Sequence, residues 1–229
     1  MPSKESTPRR GCADIWNAFM VRDAKFCGED EIPFCPSTLT QIPSRLLGYD
    51  QIGSIFDSRA LVHCYLDDQK FDGSGGLWHS PHDNLKRLKK FAGVITPDFS
   101  TYQDMPQALK IFSTYKMRAL GYWLTQQGVP VVNNVRWGDP DTYRYSFAGL
   151  PANSVLAVGT HGCIKRKENH FRFERGLEKM VEKLTPHTIL VYGSTGLPIF
   201  QWLREQKVTI VEYPSKISIA MAGRRQCDE

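Results

Sequence analysis

Apolar residues fall along this chain in short, largely continuous runs instead of alternating with polar ones. Ala60–Leu66, Gly93–Thr96, Val129–Val135, Val155–Gly159, Thr188–Tyr192 and Thr209–Val211 are such runs, and each gives way to polar, charged or glycine-rich residues. Continuous apolar character over so few residues reads as strands buried on both faces, the condition of a parallel sheet covered by helices. Between the runs, apolar residues recur at helical spacing. Asp83–Phe91 carries Leu85, Leu88 and Phe91. A long helix is expected from Asp104, its N-cap, to about Gln127, with Leu109, Phe112, Leu120, Trp123 and Leu124 on its apolar face and Gly128 as the stop. Phe171–Leu184 and Ile199–Gln206 repeat the pattern, and Ile15–Phe19 suits a short helix. The connection Pro140–Asn153 has no clear helix.

About six parallel strands alternating with helices predict an α/β fold in a single domain. Six units fall short of an eight-unit barrel, so the expectation is a shortened or incomplete barrel, with an open doubly wound sheet as the alternative. The pattern places a disordered leader at 1–11, the domain at 12–215 and a flexible tail at 216–229. Within the domain, Cys27–Pro43 is irregular. Its stretch Ile32–Pro36 holds prolines at 33 and 36, so it should lie extended against the body.

Composition adds modest constraints. With 229 residues, 41% hydrophobic and 23% charged, a full core is available. No apolar run approaches the ~18 residues that cross a bilayer. The leader has no apolar stretch of the kind a signal peptide carries, so a cytoplasmic protein without a membrane partner is expected. The six cysteines, at 12, 27, 35, 64, 163 and 227, never form a Cys-x-x-Cys pair and read as reduced thiols. Cys12, Cys27 and Cys35 crowd together but lack a chelating pair, so no metal is expected on them. The net charge of +5 suits a nucleic acid or a phosphorylated small molecule, with Arg9–Arg10 and Arg224–Arg225 contributing from the two ends.

In parallel α/β folds ligands bind where the strands end, because loops converge there and helix N-termini point inward. The strand ends offer Asp67–Asp68, Asp98, Arg136–Trp137–Asp139, Thr160–His161–Cys163–Lys165, Ser194 and Tyr213–Ser215. Arg136 leaves the core at a strand end. It either pairs structurally with Asp139 or Asp98, or grips a carboxylate or phosphate. His161 and Cys163 flank a glycine and suit proton transfer and nucleophilic attack, provided Gly162 turns them toward one another. Lys165, Arg166 and Lys167 form the strongest basic run, close to Arg172, Arg175 and the interleaved Phe171 and Phe173. That combination suits a nucleic acid, or simply a solvated face. Ser194, between Gly193 and Gly196, either caps the next helix or helps offer backbone N–H groups to a phosphate.

Three runs resemble one family: Gly93–Pro106 (GVITPDFSTYQDMP), Asn134–Asp139 (NVRWGD) and Thr160–Lys165 (THGCIK). They are similar to the domain of unknown function 4417 family of bacteria, their phages and mobile elements. The likeness runs from about Ile32 to Pro198, with Thr96 standing where Ser is expected. It implies a bacterial or phage setting and no particular activity or cofactor.

Together these features suggest an enzyme acting on a nucleotide, nucleic acid or other phosphate-bearing ligand. In that reading Arg136, Trp137, Lys165 and Ser194 bind ligand, and Asp98, Asp139, His161 and Cys163 carry chemistry. One rival is a non-catalytic nucleic-acid- or protein-binding accessory module. Another is a divalent-metal hydrolase built on Asp67, Asp98 and Asp139.

Overall fold

The structure, a computed structural model, describes residues 14, 16–160, 167–216, 218 and 219. It forms two compact units, one up to Pro151 and one from Ala152 onward. The α/β class with parallel strands and intervening helices is as the sequence implies.

The first unit opens with a 3-10 turn at Ala18–Val21, a few residues beyond the short helix expected at Ile15–Phe19, and a small antiparallel hairpin, β1 (Phe26–Cys27) and β2 (Ile32–Pro33). Four parallel strands follow: β3 (Leu46–Gly48), β4 (Leu61–His63), β5 (Gly93–Ile95) and β6 (Val131–Asn134), each paired with the next. Between them lie α1 (Gln69–Asp72), α2 (Pro81–Leu88) and α3 (Gln107–Gln126), and after β6 the single-turn α4 (Tyr143–Ser146). Strands β4, β5 and β6 are buried along their whole length, which is why they carry no alternation. The strand β3 is an addition to the six expected from sequence.

The helix α3 supplies much of the core, with Met117, Ala119, Leu120, Trp123 and Leu124 buried against Val62, Val94 and Val131. Sinking each large side chain of this kind contributes about 1.5–3 kcal/mol. Its expected details need two corrections. Asp104 does not cap it: Pro106 stands at the N-cap, with no side-chain bond, because the chain passes through a turn between Asp104 and the helix. Leu109, in the first turn of the helix, is 49% exposed and so does not belong to its buried face. The helix stops where Gly128 takes φ +76°, as expected.

Ile32–Pro36 runs extended and largely buried, as its prolines imply. The Cys35 N–H donates to the Gly149 carbonyl at 2.8 Å and Thr38 exchanges two bonds with Val131 at 2.9 Å each. The Asn133 amide donates to the Cys35 carbonyl at 2.9 Å.

The second unit comprises β7 (Val155–Gly159), α5 (Lys167–Leu184), β8 (Thr188–Tyr192), α6 (Pro198–Glu205) and β9 (Thr209–Tyr213), with its three strands parallel and paired in sequence order. On α5, Phe173 is buried against Phe200, which corrects its expected place on a basic surface. Phe171 remains 62% exposed, with the Arg175 guanidinium 5.3 Å from its ring centre.

Candidate functional site

The carboxyl ends of β4, β5 and β6 bring a connected polar network together in the first unit. Asp98, just after β5, accepts from Arg136 Nη1 at 2.6 Å on one oxygen and from Asn134 Nδ2 at 2.7 Å on the other. Arg136 Nε donates to Thr101 Oγ1 at 3.2 Å, so two residues of the β5 loop fix the guanidinium plane. Asn134, the last residue of β6, is held from three sides. Its amide N–H donates to Thr96 Oγ1 at 2.8 Å, and its side-chain oxygen accepts from the Tyr65 hydroxyl at 3.1 Å. Its carbonyl accepts from Arg118 at 3.0 Å.

Asp98 and Arg136, both offered by strand ends, are thus in contact, and Asp98 is one structural partner of Arg136. The side chains of this ion pair remain 24% (Arg136) and 14% (Asp98) exposed. With both oxygens accepting, Asp98 is built to orient a cation. A second carboxylate, Asp68, ties the β4 loop to the β5 loop by accepting from the Ser100 hydroxyl at 2.8 Å and its N–H at 3.1 Å. Ser113 of α3 completes that bridge by donating to the Ser100 carbonyl at 3.0 Å.

Trp137 sits edge-on to Phe147 with ring centres 6.1 Å apart. Asp139 starts the turn Pro140–Thr142, and its carbonyl accepts from the Thr142 hydroxyl at 2.7 Å while that hydroxyl accepts from the Gly138 N–H at 2.9 Å. Asp67 lies 3.8 Å from Lys70. Among the described residues no group of three or more His, Cys, Asp or Glu side chains is arranged to hold a metal ion.

Three residues of this network went unmarked in the sequence. His63 and Tyr65 lie inside an apolar run and read there as core. The His63 ring packs against Tyr65, and its Nδ1 accepts the Tyr65 N–H at 3.1 Å, which leaves the ring hydrogen on Nε2. Arg118 lies within the apolar stretch of α3. It is completely buried and donates to the carbonyls of Asn134 (3.0 Å), Ser146 (3.0 Å) and Ala148 (3.4 Å). Burial pulls its pKa down to about 10, so it stays charged at neutral pH. The buried thiol of Cys35 is pushed up to about 12 by desolvation, with Arg118 pulling weakly the other way. Cys64 is raised well above its ordinary value by burial, then by the surrounding Asp98, Asp50, Asp68 and Asp72.

In the second unit, Ser194 is exposed after β8. Its hydroxyl accepts from the Gly196 N–H at 3.1 Å, and its carbonyl accepts from the buried Thr160 hydroxyl at 3.0 Å. One N–H of the Gly-rich loop is therefore taken by the loop itself, and α6 begins on Leu197 and not on Ser194. Thr195 donates to Glu212 and accepts from Arg204 at 3.2 Å. His161, Cys163 and Lys165 lie outside the described residues, as do Arg166 and residues 1–11. No helix is long and apolar enough to cross a membrane among the described residues.

Comparison with known proteins bears on kinship alone. The domain of unknown function DUF4417 matches residues 25–214. The Gene 1 protein of Mycobacterium phage D29 is 32% identical over 136 residues, covering 59% of this chain and 49% of the phage protein. The Gene 1 protein of Mycobacterium phage L5 is 32% identical over 132 residues, covering 58% of this chain and 56% of its own length. The chain thus spans about half the length of the curated relatives it matches. No solved structure matches it. The family match takes in every parallel strand of both units together with the Asp98–Arg136 network, and the chain belongs to the DUF4417 family.

Proposed function

We propose that this phage-type protein is an enzyme acting on a phosphate-bearing ligand, a nucleotide or nucleic acid, gripped at the strand ends of the first unit by Arg136. One observation carries the reading: a partly exposed guanidinium, held in plane by Asp98 and Thr101, stands at the carboxyl ends of two parallel strands. An arginine fixed by a carboxylate behind it can meet phosphate oxygens with little loss of freedom on binding. Asp98 then positions the cation. Within the same unit Asp139 is the companion carboxylate for acid/base work.

Calorimetric titration of the full chain with nucleoside triphosphates and with inorganic pyrophosphate tests the reading. Arg136→Gln should weaken binding by about tenfold or more, the worth of a charge-assisted hydrogen bond. No heat from wild type with any of these ligands would sink the proposal.

A second reading has its own observation. Phe171 is exposed beneath Arg175 on α5, just after the basic run Lys165–Lys167, an arrangement on which a base can stack. It supports a non-catalytic nucleic-acid-binding module, in which oligonucleotide affinity depends on Phe171 and ignores Arg136.

A further inference from the structure

A completely buried guanidinium is costly unless it is hydrogen-bonded, and each of the three nitrogens of Arg118 donates to a backbone carbonyl. The identity of those carbonyls is informative. Asn134 is the last residue of β6, immediately before the loop that carries Arg136, Trp137 and Asp139. Ser146 and Ala148 stand at the end of α4 and just beyond it, where that excursion returns to the body. One side chain of α3 therefore holds both the departure and the return of the segment 135–145.

The interior of the loop is braced to itself by Gly138, Thr142 and Asp139, and Arg136 and Arg144 tie it to Asp98 and Asp30. The grip on Asn134 matters twice, because the side chain of that residue also bonds Asp98, the partner of Arg136. Only a planar fork meets carbonyls diverging in this way. A lysine ammonium on the same helix offers a point charge and reaches fewer of them.

We propose that Arg118 is a positioning residue for the loop 135–145, fixing where Arg136 presents its guanidinium. Its consequence for ligand binding rests on the phosphate-binding reading above; its structural half does not. The test uses Arg118→Lys in the full chain with two readouts. The Trp137 indole N–H resonance, assigned through Trp137→Phe, reports the loop without any ligand. Pyrophosphate titration reports the site. The proposal expects the Trp137 resonance to shift or broaden while the other indole signals stay in place, and pyrophosphate affinity to fall on the order of tenfold.

A lysine variant that only lowers the melting temperature, with Trp137 and pyrophosphate affinity unchanged, overturns it. If wild type binds no pyrophosphate but Trp137 still moves in the variant, the phosphate reading fails and the positioning role stands. Should the variant not fold, native-state hydrogen exchange of wild type decides. The Gly138 and Ala148 amides, whose acceptors lie within the segment, should be protected nearly as well as those of β6. Exchange at the rate of a free loop overturns the proposal.

Discussion

At the scale of single residues, the pair Asp98–Arg136 gives the sharpest expectation. Asp98→Asn keeps the shape but removes the charged acceptor 2.6 Å from a partly exposed guanidinium. Stability should fall by about 1–3 kcal/mol, and a double-mutant cycle with Arg136→Gln should show coupling above ~1 kcal/mol in urea unfolding. Additive effects would mean that the contact contributes nothing. The buried thiols give a second expectation. Cys35 and Cys64 hold their protons in the folded protein well past the pH at which a free thiol, with its ordinary value of 9.0, loses its own. The unfolded chain therefore binds fewer protons than the native one above pH 9. Stability from these groups is complete below that pH and declines as pH rises, by up to about 1.4 kcal/mol per unit for each thiol. Urea midpoints should decline between pH 9 and 10, more weakly in Cys35→Ala. A thiol reagent at pH 8 should modify half-buried Cys27 in the native state and reach Cys35 and Cys64 only on unfolding.

At the scale of elements, the seat of α3 against the sheet depends on Gly121. A methyl group there would come within 2.5 Å of the Cys35 sulfur and 2.6 Å of the Thr96 methyl. Ala would gain about 1 kcal/mol in helix propensity, yet overpacking of this kind costs about 1–3 kcal/mol. Gly121→Ala should therefore be destabilising in urea unfolding, and Cys35→Ala should recover part of the loss. Elements were legible in the sequence where burial is complete. The runs Val155–Gly159 and Thr188–Tyr192 coincide with β7 and β8, since a strand buried on both faces leaves an unbroken apolar signature. The strand β3 has only Leu46 and Leu47 between an arginine and a glycine, too short a run to stand out. The same logic explains the site. Asp98 and Arg136 were visible because they break an apolar run at its end. His63, Tyr65 and Arg118 were not, because each lies inside an apolar stretch where polarity reads as incidental. The one sequence signal for Arg118 is its place between Thr114 and Gly121 at helical spacing, on the face that α3 turns inward.

At the scale of the whole molecule, charge separates the two functional readings. If Lys165, Arg166 and Lys167 meet a polyanion, each phosphate they neutralise releases counterions. Replacing all three by Ala should flatten the dependence of oligonucleotide affinity on salt by about 2–3 units in log–log slope, for every sequence alike. Fluorescence anisotropy across a salt series measures this, and an unchanged slope would remove the basic run from any nucleic-acid contact.

The extended segment from Ile32 to Thr38 has a consequence in time. Its partners are Gly149, Val131 and Asn133, roughly a hundred residues further along the chain. A ribosome making about 5–20 residues per second needs about 5–20 s to supply them. Throughout that interval only its first residues have a partner, in the hairpin with β1, and Cys35, sealed away in the finished protein, is an ordinary exposed thiol. The nascent chain is thus open to oxidation and to chaperones at a place where the mature protein offers neither any purchase.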